Sequence, residues 1–267
     1  MSSSSTSRTN YPKYRRRQLV AGVVALVAIA VVFLLVRPGS GPDDSGAPAS
    51  ADSTSSSDSP SSSTSTSSSS SPSSTSRTLP DYTTTGKFNR ATKGTPVRGT
   101  KGELFTYRVE TEKGSGVDVE SFARAVDRTF SHERGWTADG AFRFQRVTDE
   151  EPRMTVRLAT PETVDKACRE VGLDTEGFLS CRSGNVVYLN LNRWAVGVKA
   201  VRDLGVYRNY LVNHEVGHIL GRQHEACPGK GKPAPVMQQQ TKELDGCTAN
   251  AWPYDAEGTE HTGPPTP

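Results

Sequence analysis

The chain has 267 residues, 32 of them Lys or Arg and 29 Asp or Glu, for a formal charge of +3, and 33% are hydrophobic. Five positives, Arg8, Lys13, Arg15, Arg16 and Arg17, precede an apolar run in a segment (1–36) without a single acid, so the other 231 residues net −2. That excludes a basic surface as grounds for a nucleic-acid partner, and none is expected.

Leu19 to Val36 is an 18-residue run without a charged or hydrogen-bonding side chain, about 27 Å long as a helix and hence long enough to span a bilayer core. A cleaved secretory signal has a shorter core, about 7 to 15 residues, closely followed by a small-residue site. Here the first Ala-x-Ala sites after the run, Ala47 to Ala49 and Ala49 to Ala51, lie well beyond it, so an uncleaved signal anchor is expected. The basic cluster before it, against Arg37, Asp43 and Asp44 after it, orients residues 1–18 to the cytoplasm by the positive-inside rule. The expectation is a single-pass membrane protein whose remaining chain is extracytoplasmic.

Residues 37–79 are expected to be a disordered linker. Between Ser53 and Ser76, 21 of 24 residues are Ser or Thr, too little apolar surface to offset chain entropy. As a flexible stalk it spans roughly 35 Å, and its Ser, Thr and Pro content suits O-glycosylation.

Residues 80–267 form the folded domain, with an α+β pattern. Phe105, Tyr107 and Val109 alternate in a strand from about Glu103 to Glu110, followed by a helix carrying Val119, Phe122, Ala123, Val126 and Phe130. Strands are predicted at Ala141 to Val147 and Met154 to Leu158, then a helix opening on Thr160 and Pro161 with a buried face of Val164, Ala167, Cys168 and Val171. Asn185 to Leu191 reads as another strand and Leu204 to Leu220 as a long helix. Beyond Gly221, Pro and Gly predict loops, with one short helix near Thr241 to Leu244. Cys168, Cys181, Cys227 and Cys247 lie on the oxidising side of the expected membrane. Sequential pairing is preferred, although four cysteines allow three connectivities.

The long helix contains HEVGHILGRQH, His214 to His224. His214 and His218, four residues apart, sit about 40° apart around the helix axis and can grip one ion, with Glu215 about 100° round from His214, placed to hold water without ligating. His224 would be about 15 Å from His214 on a continued helix, so the helix must end between them, and Gly221 is the residue that permits it. Three imidazoles with an open fourth position mark a catalytic zinc. His132 and His261, the other two histidines, are expected in solvated loops with no specific role.

These residues resemble the metzincin clan of zinc metallopeptidases, whose signature is this extended histidine motif followed by a tight turn bearing a methionine. Pro235, Val236, Met237 and Gln238 are similar to that turn, Met237 lying 13 residues past His224. HEVGHILGRQHEACPG and PVMQQQT together also resemble an uncharacterised family of actinobacterial cell-envelope proteins. The resemblance implies a metzincin-like domain, one catalytic Zn²⁺ on His214, His218 and His224, Glu215 as general base, and a peptide or protein substrate. It also implies that the strand Asn185 to Leu191 is the edge on which substrate adds, although Val187, Leu189 and Leu191 suit a core stripe equally. Where some metzincins place a tyrosine two residues after the turn methionine, this chain has Gln239, so no tyrosine role carries over. Gln238, Gln239 and Gln240 either line a specificity pocket or bond the loop backbone. Gly217 inside the helix implies close packing, as beneath the Met237 turn. The function expected is an extracytoplasmic zinc endopeptidase. The alternatives are a zinc-stabilised, non-catalytic binding module of the cell envelope and a metal-free adhesive stalk protein.

Overall fold

A computed structural model describes residues 77–266. The expected cytoplasmic segment, the membrane span and all but the last three linker residues lie outside them. Among the described residues no helix is long and apolar enough to cross a membrane. Arg77, at the end of the expected linker, donates to the carbonyls of Arg202 at 2.7 Å and Val196 at 3.4 Å.

The fold is α+β, a mixed sheet with helices. Its elements run β1 (Phe88–Arg90), β2 (Glu103–Glu112), α1 (Val119–Phe130), β3 (Phe142–Arg146), β4 (Met154–Ala159), α2 (Pro161–Arg169), β5 (Cys181–Ser183), β6 (Val186–Asn190), α3 (Leu191–Val196) and α4 (Leu204–Ile219). The strand order is β1-β2-β4-β6-β5. Strands β2, β4 and β6 are parallel, while β1 and β5 run antiparallel at the two ends. Tyr107 partners both Arg146 and Met154, which puts β3 on the edge of β2 away from β4, beside β1.

Strand alternation divides the residues between two faces. Tyr107, Val109, Val156, Leu158, Val187 and Leu189 join the main core with residues of α1, α3 and α4. On the other face Ala159 and Tyr188 pack with Val164, Cys168 and Cys181 in a second cluster under α2. Helix starts follow local chemistry. Asp118 caps α1 by accepting from Ser121 N–H at 2.8 Å, and Asp203 caps α4 by accepting from Val206 N–H at 2.9 Å. Thr160 precedes α2 without capping it, since its hydroxyl donates to Glu112 at 3.0 Å instead.

Four expectations are corrected. Asn185 to Leu191 is not an edge: its observed strand, β6, lies between β4 and β5, and β5 is the edge. Val171 is 47% exposed because α2 ends at Arg169, two residues short of it. Thr241 to Leu244 forms turns and no helix. His132 is not idle, for its ring stacks on Trp252 at 3.7 Å and its Nδ1 accepts from Arg134 N–H. Both disulfides are sequential, Cys168–Cys181 and Cys227–Cys247.

Candidate metal centre

Helix α4 packs against β6, β5, α1 and α3, which fixes the helix face carrying His214, Glu215 and His218. The helix ends in the manner glycine allows. Gly221 has φ of +83°, its N–H donates to His218 O at 3.2 Å and that of Arg222 to Gly217 O at 2.9 Å, a Schellman termination. The chain then turns back, held by Glu225 N–H on Met237 O and Thr266 N–H on His224 O, both at 3.2 Å.

His214, His218 and His224 each offer one ligand atom, and these atoms lie within 4.8 Å of one another. His218 Nε2 and His224 Nε2 are 3.1 Å apart. His214 Nδ1 is 2.8 Å from Val236 O and His218 Nδ1 is 3.0 Å from Arg222 O. A carbonyl only accepts, so each Nδ1 carries the proton and each Nε2 presents a lone pair, as metal-ligating histidines require. Burial foremost, then the neighbouring His218, pushes His214 down to about 3 and His224 to about 4. Burial also lowers His218, against the pull of the Arg222 carbonyl. Neutral imidazoles converging on one point are a donor set that fits zinc.

Burial drives Glu215 up to about 8, with Arg182 opposing the shift. Its carboxyl lies on a cleft of about 280 Å³. The floor is Tyr210, His214, Glu215 and His218, with His224 beside them. One wall is the α2–β5 loop and β5, through Leu173, Asp174, Thr175, Leu179, Ser180 and Arg182. Another is Gln239, Thr241 and Lys242.

The turn Pro235 to Gln238 closes through Gln238 N–H on Pro235 O at 3.0 Å. Met237 is buried with its sulfur over Gly217, where a Cβ would collide with it and with Trp136. One turn therefore fits the helix at Gly217 and, through Val236 O, orients His214. The three glutamines divide. Gln240 donates to Pro235 O and Asn250 O and accepts from Asn250 N–H, while Gln238 donates to Glu243 O and Asp245. Only Gln239 faces the cleft, its Oε1 accepting from Lys242 Nζ at 3.3 Å.

Sequence reasoning missed Arg182, Lys242, Tyr210 and the loop residues 173–180. The signals near them were Cys181, whose pairing with Cys168 ties that loop beside the site, and the glutamine run just before Lys242. No curated protein and no solved structure matches the chain. The chain belongs to the family described as "protein of unknown function (DUF3152)", which matches residues 78–259, a span that takes in the whole sheet, the three histidines, Met237 and both disulfides.

Proposed function

We propose that this chain is a zinc endopeptidase of metzincin type, held at the outer face of a membrane by residues 19–36. The observation that carries the reading is the convergence of three imidazoles, those of His214 and His218 oriented by backbone carbonyls, beside a buried carboxyl in an open cleft. Zinc bound by His214, His218 and His224 would supply Lewis-acid chemistry, polarising a scissile carbonyl and acidifying water. Glu215, whose ionised form a dication held beside it would favour, takes the proton of the attacking water and delivers it to the leaving amine. Strand β5 offers its free backbone edge to an extended peptide along the cleft. A closed structural site needs a fourth protein ligand, and the group of possible ligands among the described residues has three.

The test is metal analysis of the full-length chain coupled to a peptide-library digest, beside Glu215→Ala and Glu215→Gln. One zinc per chain is expected, with cleavage by the wild type and at least a thousandfold loss in both variants at unchanged zinc content. Undiminished cleavage in the variants, or a chain without zinc, refutes the reading.

A further inference from the structure

Two cations line the cleft from different walls, Arg182 of β5 and Lys242 of the loop after the Met237 turn. Arg182 pairs across the sheet with Val187, a residue of the main core. Cross-strand partners share a face, so Arg182 projects on the α4 side, where the histidines are. Both side chains are exposed, and among the described residues neither has an ion-pair partner. Arg182 Nη1 meets only Gly184 O at 3.0 Å, and Lys242 Nζ only Gln239 Oε1 at 3.3 Å. Each therefore keeps most of its donors free. Apart from Glu215, the one acid lining the cleft is Asp174, and one of its oxygens already accepts from Glu176 N–H at 3.0 Å.

We propose that Arg182 and Lys242 are specificity-determining residues that select a substrate carboxylate beside the scissile bond. This rests on the peptidase reading for the site, but the selection itself is a property of these two side chains. An extended peptide paired along β5 brings alternate side chains to the α4 side, within reach of Arg182. Lys242 lines the same cleft beside Gln239 and Thr241. The guanidinium offers a planar fork that suits a carboxylate, and the ammonium a point charge. The carboxylate belongs either to an Asp or Glu side chain or to a free chain end, and the two sources separate experimentally.

The experiment uses the full-length, zinc-loaded chain and three fluorescent peptides of one neutral sequence. The first has blocked ends and a single central Glu, the second has Gln in its place, and the third has Gln and a free C-terminal carboxylate. Binding by anisotropy and kcat/KM are measured on the same samples at low salt for the wild type, Arg182→Gln, Lys242→Gln, the double variant and Lys242→Arg. Taking ratios between peptides cancels any loss of folded protein. The expected result is about a tenfold preference for a carboxylate peptide over the blocked Gln peptide, shrinking as salt rises. The preference falls in each Gln variant, approaches one in the double variant and persists in Lys242→Arg. Preference for the first peptide identifies a side-chain carboxylate, and preference for the third alone a chain end. Cleavage of all three at equal efficiency, a preference that survives in the double variant, or no binding at all overturns the proposal. Carboxylate-selective binding without turnover upholds the selection and sinks the peptidase reading instead.

Discussion

At Gly217 two residue-scale effects oppose each other. Alanine would gain about 1 kcal/mol of helix propensity, yet its methyl would strike the Met237 sulfur and Trp136. Overpacking in a rigid interior costs about 1–3 kcal/mol. Both neighbours are held, Trp136 by its indole N–H on Asn213 O at 3.0 Å and Met237 within a hydrogen-bonded turn, so the collision wins. Gly217→Ala is expected to destabilise the protein by about 1 kcal/mol, and by about 2 at most, in urea unfolding. On the proposed zinc reading, the shift of Val236 O from His214 Nδ1 should also weaken metal affinity about tenfold. Unchanged or raised stability would refute the packing argument. The histidines could be read from the sequence because ligand spacing on one helix is a local property, and Gly221 because a third ligand ten residues on requires a helix end. The sorting of Gln238, Gln239 and Gln240 could not. Which amide turns inward depends on partners such as Asn250 and Asp245, chosen by the loop's three-dimensional course.

Among the elements, β5 carries the substrate argument, and it is three residues long. So short a strand shows no period, and neither do β1 or the six-residue α3; the long elements β2, α1 and α4 declared themselves by alternation or helical spacing. Expected helix and observed turns part at Thr241 to Leu244 because the Pro235 turn and the Gln240–Asn250 bonds commit the backbone elsewhere. What fixes β5 is its ladder to β6 and the Cys168–Cys181 bridge to α2. Closing that 13-residue separation is worth about 3 kcal/mol in the loop-entropy account. The double variant Cys168→Ala with Cys181→Ala is expected to lose that stability and to exchange the amides of Cys181–Ser183 faster. If the proposed function holds, zinc stoichiometry should stay at one while peptide cleavage falls, since the three histidines belong to α4 and the following loop. Loss of zinc in step with cleavage would show instead that the bridge supports the metal centre.

At the scale of the whole molecule, the interleaved pattern of strands and helices implied an α+β fold, but strand order depends on pairings distant in sequence, and an interior β6 could not be foreseen. One buried carboxylate joins parts that no local pattern connects. Glu112, at the end of β2, accepts from Thr85 N–H at 2.8 Å and Gly86 N–H at 2.7 Å in the segment before β1. It also accepts from Thr160 N–H and the Thr163 hydroxyl, both at 2.8 Å, at the start of α2. Burial alone would raise its pKa, yet the N–H donors of Gly86, Thr160 and Thr85, with the Thr163 hydroxyl, more than offset this and leave it below the ordinary 4.5. A carboxyl whose folded pKa is depressed binds its proton less readily than in the unfolded chain. Its stabilisation is therefore complete above pH 4.5 and declines as pH falls through the folded value. Glu112→Gln retains the shape but turns an amide N–H₂ toward donors, which should cost about 2–3 kcal/mol at pH 7. Urea midpoints of wild type and variant, each with any bound metal removed by chelation, should therefore differ by a constant amount from pH 7.5 down to about 5 and draw together as the pH falls below 4.5. A gap that persists undiminished as far below pH 4.5 as the protein stays folded would mean that Glu112 acts through packing, with its charge playing no part in joining the N-terminal segment to the sheet and α2.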